Sequence, residues 1–456
     1  MIFKRVLSLF AAAVFLVSFA VLASPRAAAL DDPPTERLKA AYVWCLDTGD
    51  GEGRELFSLG VDKEIYPASS TKIMTAIVAL DELSGRLDER VTLTSDMLSD
   101  VIGNRLGLEE GEVIPIRDLI YILVTGGNND AAYCLAHLAA TSVADFVDKM
   151  NAKAFEITGS TKTHYTNPSG IHDDLMKTTG HDTFLIAKYA WENYELFRDA
   201  SSAQMYPLAA TNKREFVNVY NKNCFISSYY ADTYDATGYF DGSYCGINAG
   251  GTNEGGQCLI TVYKTEELSF LVLVMGAEWE DDVNYSYVNA KALAEWAAKS
   301  FARRQVLSRD RVVCDLPVSL AISMDHITVS PERDISVFLP TDVDIDHEVE
   351  YVWSTDEDLT APLHAGDVVG TITAYYGGQP LDDGTCSLIV TADVERSEFL
   401  FALRRIEIFT TSRGFIAAVM FAVVASVAVV LFNARRRKVS KMNVGTVSAV
   451  RRRTKR

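Results

Sequence analysis

Nineteen consecutive residues, 414–432, carry no charged side chain. As a helix, at about 1.5 Å per residue, they span about 28 Å, close to the hydrocarbon thickness of a bilayer. A chain that crosses lipid must pair every backbone N–H and C=O within itself, so such a stretch can only be helical there. Arg435-Arg436-Arg437-Lys438 follows at once, and basic flanks mark the cytoplasmic side. This predicts a transmembrane helix over 414–432, a basic cytoplasmic tail over 433–456 and a body on the outer face of the cell membrane. The other terminus agrees. A charged start (Lys4, Arg5), an apolar run over 6–23 and Ala27-Ala28-Ala29 read as a secretory signal peptide over 1–29. Cleavage after Ala23 or after Ala29 both fit, and an uncleaved anchor is the other reading.

Composition then narrows the partners. The first 29 residues hold three basic residues and residues 433–456 hold ten, with no acid in either segment. The exported body therefore carries 30 basic against 61 acidic residues, a net charge of −31. Such a surface repels polyanions, so nucleic acid is not an expected partner. The seven cysteines include no Cys-x-x-Cys pair, so no metal or other cofactor is expected. Export permits disulfides, and Cys224 with Cys245, flanking one tyrosine-rich segment, is the candidate pair.

Within the body, Pro67-Ala68-Ser69-Ser70-Thr71-Lys72 runs into an apolar stretch over 73–80 that lacks glycine and proline. That stretch reads as a buried helix. Ser69 and Lys72, three apart, then lie one turn from each other on one face. A serine hydroxyl needs a base within reach to act as a nucleophile, and a lysine held away from water has a lowered pKa and can be that base. The spacing also arises where a serine merely caps a helix, so the context must decide. Upstream, residues 41–46 and 55–59 read as a strand pair joined by turn-forming residues 47–51. Helical segments follow to about Trp191.

That context resembles a known family. Pro67-Ala68-Ser69-x-Thr71-Lys72 followed by Met74-Thr75-Ala76 is similar to the nucleophile segment of penicillin-binding proteins and serine β-lactamases, most of all the D-alanyl-D-alanine carboxypeptidases. Gly127-Asn128-Asn129-Asp130-Ala131-Ala132 stands where that family has Ser-x-Asn followed by Asp-Ala-Ala. Asn129 falls on the motif's asparagine and Gly127 on its serine, a hydroxyl that serves there as a proton relay. From the residues alone the same stretch is a helix–helix turn with an Asx cap. Asn248-Ala249-Gly250 stands where the family has Lys-Thr-Gly; the glycine is kept, the lysine and threonine are not. Asn167-Pro168-Ser169-Gly170 resembles the family's Asn-Pro-x-Gly turn and is read as structural. His164, His172 and His181 are read as neutral loop histidines without a carboxylate partner. Residues 211–244 read as a long polar, tyrosine-rich loop, 257–263 and 268–276 as an antiparallel pair, and 288–302 as a closing helix.

The resemblance implies an α/β (α+β) fold: an antiparallel sheet flanked by helices, with an all-helical lobe, over 30–305. A small all-β domain follows over 306–394, with candidate strands at 312–316, 335–339, 348–353, 368–374 and 386–392. A membrane-proximal segment (395–413) leads to the transmembrane helix. Ser69 would attack the carbonyl between two D-alanines of a peptidoglycan stem peptide, Lys72 would take its proton, and Asn129 would position substrate and lysine. Backbone N–H groups of Ser69 and Gly251 would hold the oxyanion, and Gly127, Asn248, Ala249, Gly250 and Gly251 would line the substrate cleft. β-Lactams would be covalent ligands. Because Gly127, Asn248 and Ala249 depart from the family, a catalytically lapsed relative that binds wall peptide or a partner protein is the alternative. A β-lactamase or other hydrolase is a third reading, without an identifiable deacylating carboxylate.

Overall fold

A computed structural model describes residues 33–451 apart from 49–50, 52, 233–237 and 356–358, with side chains as far as residue 437. The expected signal peptide and the last residues of the basic tail lie outside the described residues. The chain divides into two compact units. One runs up to Val306 and includes Ile335–Tyr351 and Thr373–Thr385; the other comprises Leu307–Asp334, Val352–Ile372 and the chain from Cys386 onward.

The first unit is built on one antiparallel sheet. Its strands are β1 (Ala40–Cys45), β2 (Arg54–Leu59), β5 (Tyr244–Thr252), β6 (Gly256–Lys264) and β7 (Ser269–Ala277), in the order β2-β1-β7-β6-β5. The short strands β3 (Met205–Leu208) and β4 (Val217–Tyr220) form a separate antiparallel pair. Successive side chains of a strand point to opposite faces, and both faces of β7 are buried. Leu271, Leu273 and Met275 join one core with Tyr42 and the helical lobe; Phe270, Val272 and Val274 join another with Ala41 and Val43. Hence Phe270–Met275 is apolar without alternation. Each such side chain, fully buried, contributes about 1.5–3 kcal/mol.

The longer helices are α1 (Thr71–Leu83), α2 (Ile116–Val124), α3 (Asn129–Ala139), α4 (Val143–Thr158), α5 (Gly180–Asn193), α6 (Glu195–Ser202) and α7 (Tyr285–Ser300). Helix α1 is buried along nearly its whole length, with Ile73, Met74 and Ile77 in the lobe-side core. Helix α7 covers the opposite face of the sheet through Tyr287, Ala290, Leu293 and Ala297. The expected α+β architecture is the one observed.

One segment departs from expectation. Residues 211–244 are not a continuous loop. Strand β4 pairs with β3, and Cys224, Phe225 and Ile226 are buried. The apolar residues that drive this are too few and too scattered among polar ones to show a period. In addition, Arg214 chelates Glu112 with both nitrogens, Nε–Oε1 at 2.5 Å and a second bond at 2.9 Å, and Glu112 is fully buried. This pins the segment to the helical lobe.

In the second unit, β8 (Cys314–Ser319) pairs antiparallel with β9 (His326–Pro331). Strand β9 pairs with residues 388–390, and the end of β8 pairs in parallel with residues 359–360. Strand β9 was not among the expected strands; it closes on Pro331, a residue that cannot donate to a ladder. Helix α8 (Glu398–Thr411) exposes Phe399, Leu403, Ile406 and Phe409. Helix α9 (Arg413–Arg451) begins with a segment, 413–437, long and apolar enough to cross a membrane.

Candidate active site

The chain enters α1 through a 3₁₀ turn, Ala68–Ser70, with Ala68 in the left-handed region at φ +48°. The two adjacent serines are treated differently. Ser70 is buried and donates its hydroxyl to the Pro67 carbonyl at 2.6 Å. Ser69 is half-buried, and its hydroxyl has no hydrogen-bond partner among the described residues. It lies at the helix entry, on the 3₁₀ turn before α1, where residues three apart still share a face.

Lys72 is 3% exposed and donates Nζ to the Ser169 carbonyl at 2.6 Å. No carboxylate among the described residues pairs with it. Burial, reinforced by the nearby positive charge of Lys222, pulls its pKa down to about 7. Its amine is thus available as a base near neutral pH, as the sequence spacing required.

The turn carrying Ser169 is built for close approach. Asn167 Oδ1 accepts from the backbone N–H of Ser169 and Gly170, at 3.1 and 2.9 Å. Gly170 has φ +79°, and a Cβ there would fall 1.9 Å from the Ala68 carbonyl oxygen. Thr75 in α1 donates to the Pro168 carbonyl at 2.6 Å. The Asn-Pro-x-Gly turn is therefore structural, as expected. It also supplies the carbonyl that holds Lys72, which no residue type could announce because the acceptor is backbone.

Between α2 and α3, Gly127 takes φ +60°. Asn129, the first residue of α3, is buried, and its Nδ2 donates to the Ile102 carbonyl at 2.6 Å. Its Oδ1 is buried without a partner among the described residues. The expected Asx cap is absent: Asn128 precedes the helix and makes no side-chain cap bond. Asp130 instead accepts from the backbone N–H of Leu106, Gly107 and Leu108, at 3.2, 2.8 and 3.0 Å, and so fixes the loop that holds Asn129.

Strand β5 is the sheet edge beside the nucleophile turn. A Cβ on Gly250 would fall 3.0 Å from Ser69 Oγ, so only glycine lets the strand come this near. Asn248 sits opposite Ile260, with Oδ1 buried and unpartnered among the described residues. Ala249 packs into the core on the α7 side. Gly251 follows on the same edge, opposite Gln257.

Comparison with known proteins agrees with this geometry. A profile described as D-alanyl-D-alanine carboxypeptidase matches residues 38–279, more than half of the chain. The chain belongs to the D-alanyl-D-alanine carboxypeptidase family. A second profile, the C-terminal domain of penicillin-binding protein 5, matches residues 301–396. The D-alanyl-D-alanine carboxypeptidase DacF of Bacillus subtilis is 24% identical over 409 residues, 88% of this chain and 97% of that protein. A D-alanyl-D-alanine carboxypeptidase of Streptomyces is 29% identical over 232 residues, 48% of this chain and 79% of that protein. Penicillin-binding protein 5 from Haemophilus influenzae shares the fold at a TM-score of 0.54 and 21% identity, over 80% of this chain and 99% of that structure. A peptidoglycan synthesis regulatory factor (PBP3) from Streptococcus pneumoniae does so at 0.56 and 17%, over 79% and 100%.

Against this carboxypeptidase background two sequence expectations need correction. His172 does have a carboxylate partner, Asp174, with Nε2 at 3.2 Å, and stacks edge-on to Tyr66. One residue separates them on one turn, and sequence distance alone does not orient the pair. Cys224 and Cys245 are both free thiols. The Cys224 sulfur faces the Lys222 carbonyl, whereas Cys245 lies on β5 near Lys264. The sequence reading also missed Lys222, whose charge reaches Lys72 from inside the segment taken for a loop.

Proposed function

We propose that this chain is a membrane-anchored serine D-Ala-D-Ala carboxypeptidase that removes the terminal D-alanine from peptidoglycan stem peptides. The observation that carries the reading is the juxtaposition of a free, half-exposed Ser69 hydroxyl with a buried Lys72 whose pKa lies near 7. Ser69 Oγ attacks the carbonyl of the penultimate D-alanine while Lys72 Nζ takes the hydroxyl proton. Backbone N–H groups of Ser69 and Gly251 stabilise the oxyanion, a contribution of about 10²–10³ in rate for one such donor. The C–N bond breaks, the departing D-alanine takes a proton, and water then hydrolyses the Ser69 ester. Asn129 supports substrate placement: its unpartnered buried Oδ1 is an acceptor for a substrate amide N–H. Glycine at 127 provides no hydroxyl relay, so protonation of the leaving amine falls to Lys72 itself, which slows turnover without removing the nucleophile.

The cell membrane is its location, through the apolar helix that begins at Arg413, with the body facing the wall. The test is covalent labelling of the full-length protein by a fluorescent penicillin, together with D-alanine release from a D-Ala-D-Ala peptide. Ser69→Ala should lose both. Label that persists in Ser69→Ala identifies another nucleophile. A folded protein that takes no label is the lapsed relative instead.

A further inference from the structure

The hairpin that brings Gly250 to Ser69 has a second side. Gly250 faces the nucleophile, and Gly251, next along β5, faces the other way: a Cβ on it would meet the Gln257 amide at 2.9 Å. The turn of the hairpin also rests on the nucleophile turn, since a Cβ on Gly255 would meet Ala68 Cβ at 3.3 Å and Tyr66 Cβ at 3.4 Å. Round the tip, at the ends of β5, β6 and β7, lies a groove of about 480 Å³, the size of a small-ligand site. Ser69, Lys72 and Asn129 do not line it, so it is separate from the cleft described above.

Its walls include a lysine, two amides and an indole. Lys39 lies along one side: a Cβ on Gly276 would fall 2.6 Å from Lys39 Cδ, so only glycine lets the lysine stem cross the strand there. Asn253 and Gln257 line the hairpin side, and neither side-chain amide has a hydrogen-bond partner among the described residues. Trp279, 41% exposed, closes the groove. Its position is fixed. Trp279–Glu280 pairs with Val283–Asn284 across a tight turn, with Asp281 and Asp282 both in the left-handed region, as a two-residue hairpin turn requires. The Glu278 N–H donates to the Arg37 carbonyl at 2.9 Å, and the Arg37 guanidinium pairs with both Glu278 and Glu280. The rim carboxylates are thereby offset, and an aromatic face already held in place costs little to order on binding.

We propose that this groove binds a sugar unit of the glycan strand that carries the stem peptide, an N-acetylated hexosamine seated on the Trp279 indole. A pyranose has a face of C–H bonds and a rim of hydroxyl and acetamido groups. The face packs on the indole, and the rim exchanges hydrogen bonds with the amides of Asn253 and Gln257 and with the Lys39 ammonium. The acidic excess of the body turns away anionic wall polymers, so a neutral sugar is the ligand that fits. Reach agrees as well. Thr252, at the groove, is two strand residues from Gly250, about 7 Å, and a stem of a few residues, at up to about 3.5 Å each, spans that gap round the hairpin tip. The groove holds the polymer while its peptide reaches Ser69. This inference rests on the carboxypeptidase reading for the identity of the polymer, and its test separates the two.

The test uses the full-length protein in a zwitterionic detergent, so that no detergent sugar competes. The probe is chitotetraose, a neutral N-acetylglucosamine oligomer, titrated by calorimetry. Binding should be saturable, and Trp279→Ala should weaken it about tenfold or more. Trp279→Phe should keep part of it. Asn253→Ala, at an exposed position on the hairpin tip, leaves the core untouched and should weaken it about threefold. Release of D-alanine is the second readout. In Trp279→Ala, release from a free D-Ala-D-Ala peptide should stay within about twofold, whereas KM for the same peptide carried on a glycan fragment should rise about tenfold with kcat unmoved. No saturable binding by the parent, equal binding by the parent and Trp279→Ala, or an equal loss of activity on both substrates overturns the sugar site and leaves the carboxypeptidase reading intact. Trp279-dependent sugar binding without D-alanine release from either substrate overturns that reading and keeps the groove.

Discussion

Lys72 carries the pH dependence of the site. Its charged form is disfavoured first by burial and then by Lys222, and only the neutral amine can accept the Ser69 proton. Acylation by a β-lactam should therefore rise with pH, with a midpoint at about 7. In Lys222→Met the midpoint should move upward, because a neighbouring positive charge is gone, yet stay below the ordinary lysine value because burial remains. A pH–rate profile measured on both proteins checks this, and an unmoved midpoint means that the Lys222 charge does not reach Lys72. The same shift is linked to stability. Between about 7 and the ordinary 10.5, the unfolded chain binds the Lys72 proton and the folded chain does not. Stability thus gains with pH across that window, and the full penalty applies below it. Lys72→Met should be more stable than the parent to urea at pH 6, with the advantage shrinking toward pH 10, while acylation falls by about 10²–10⁴. Equal urea midpoints at pH 6 would contradict a charged, buried Lys72.

Two contacts between elements hold the site in shape. The Asn167–Gly170 turn lies so near the nucleophile turn that Gly170→Ala places a methyl group 1.9 Å from the Ala68 carbonyl. That overlap must displace one of the two backbones, at a cost of about 1–3 kcal/mol. The expected result is a lowered melting temperature and a larger loss in penicillin acylation than in unrelated variants of equal stability. Loss of stability with normal acylation would show that the turn does not position Ser69. The second contact is the Arg214–Glu112 pair. Arg214→Met leaves a fully buried carboxylate unpaired and should cost about 3–5 kcal/mol. Adding Glu112→Gln should recover part of this in a denaturant titration. An additive double variant would mean the pair is not coupled.

At the scale of the whole molecule, the second unit ends in two exposed apolar helices: α8, and the α9 segment over 413–437. Water does not tolerate so much contiguous apolar surface on a soluble monomer. The full-length protein should stay with the membrane pellet after an alkaline carbonate wash and require detergent for release. A version ending at Thr411 keeps only α8 and should be washed off. Recovery of the intact protein in the carbonate supernatant would remove the anchor from the proposal. Protease added to intact cells should trim the body and spare the basic tail.

What local chemistry encodes was legible in the sequence. Ser69 and Lys72 are three apart on a single turn, so their proximity needs no tertiary information. The apolar run over 414–432 is set by composition, and β6 and β7 by consecutive apolar residues. Gly250 was legible because close backbone approach demands glycine. What the tertiary structure decided lies between segments distant in sequence. The base is held by the backbone carbonyl of Ser169, 97 residues away, and any residue offers a carbonyl. In the stretch read as an Asx-capped turn, Asp130 instead fastens the 106–108 loop, because an Asx oxygen accepts from whichever N–H the fold brings to it. Lys222 sits in a polar stretch without apolar period, where nothing local separates a solvated lysine from one whose charge reaches Lys72. Its position follows from Asn221, Asn223 and the buried Arg214–Glu112 pair, all of them long-range contacts. Motif spacing specifies which residues share a turn; only packing specifies which charge, arriving from elsewhere in the chain, faces them.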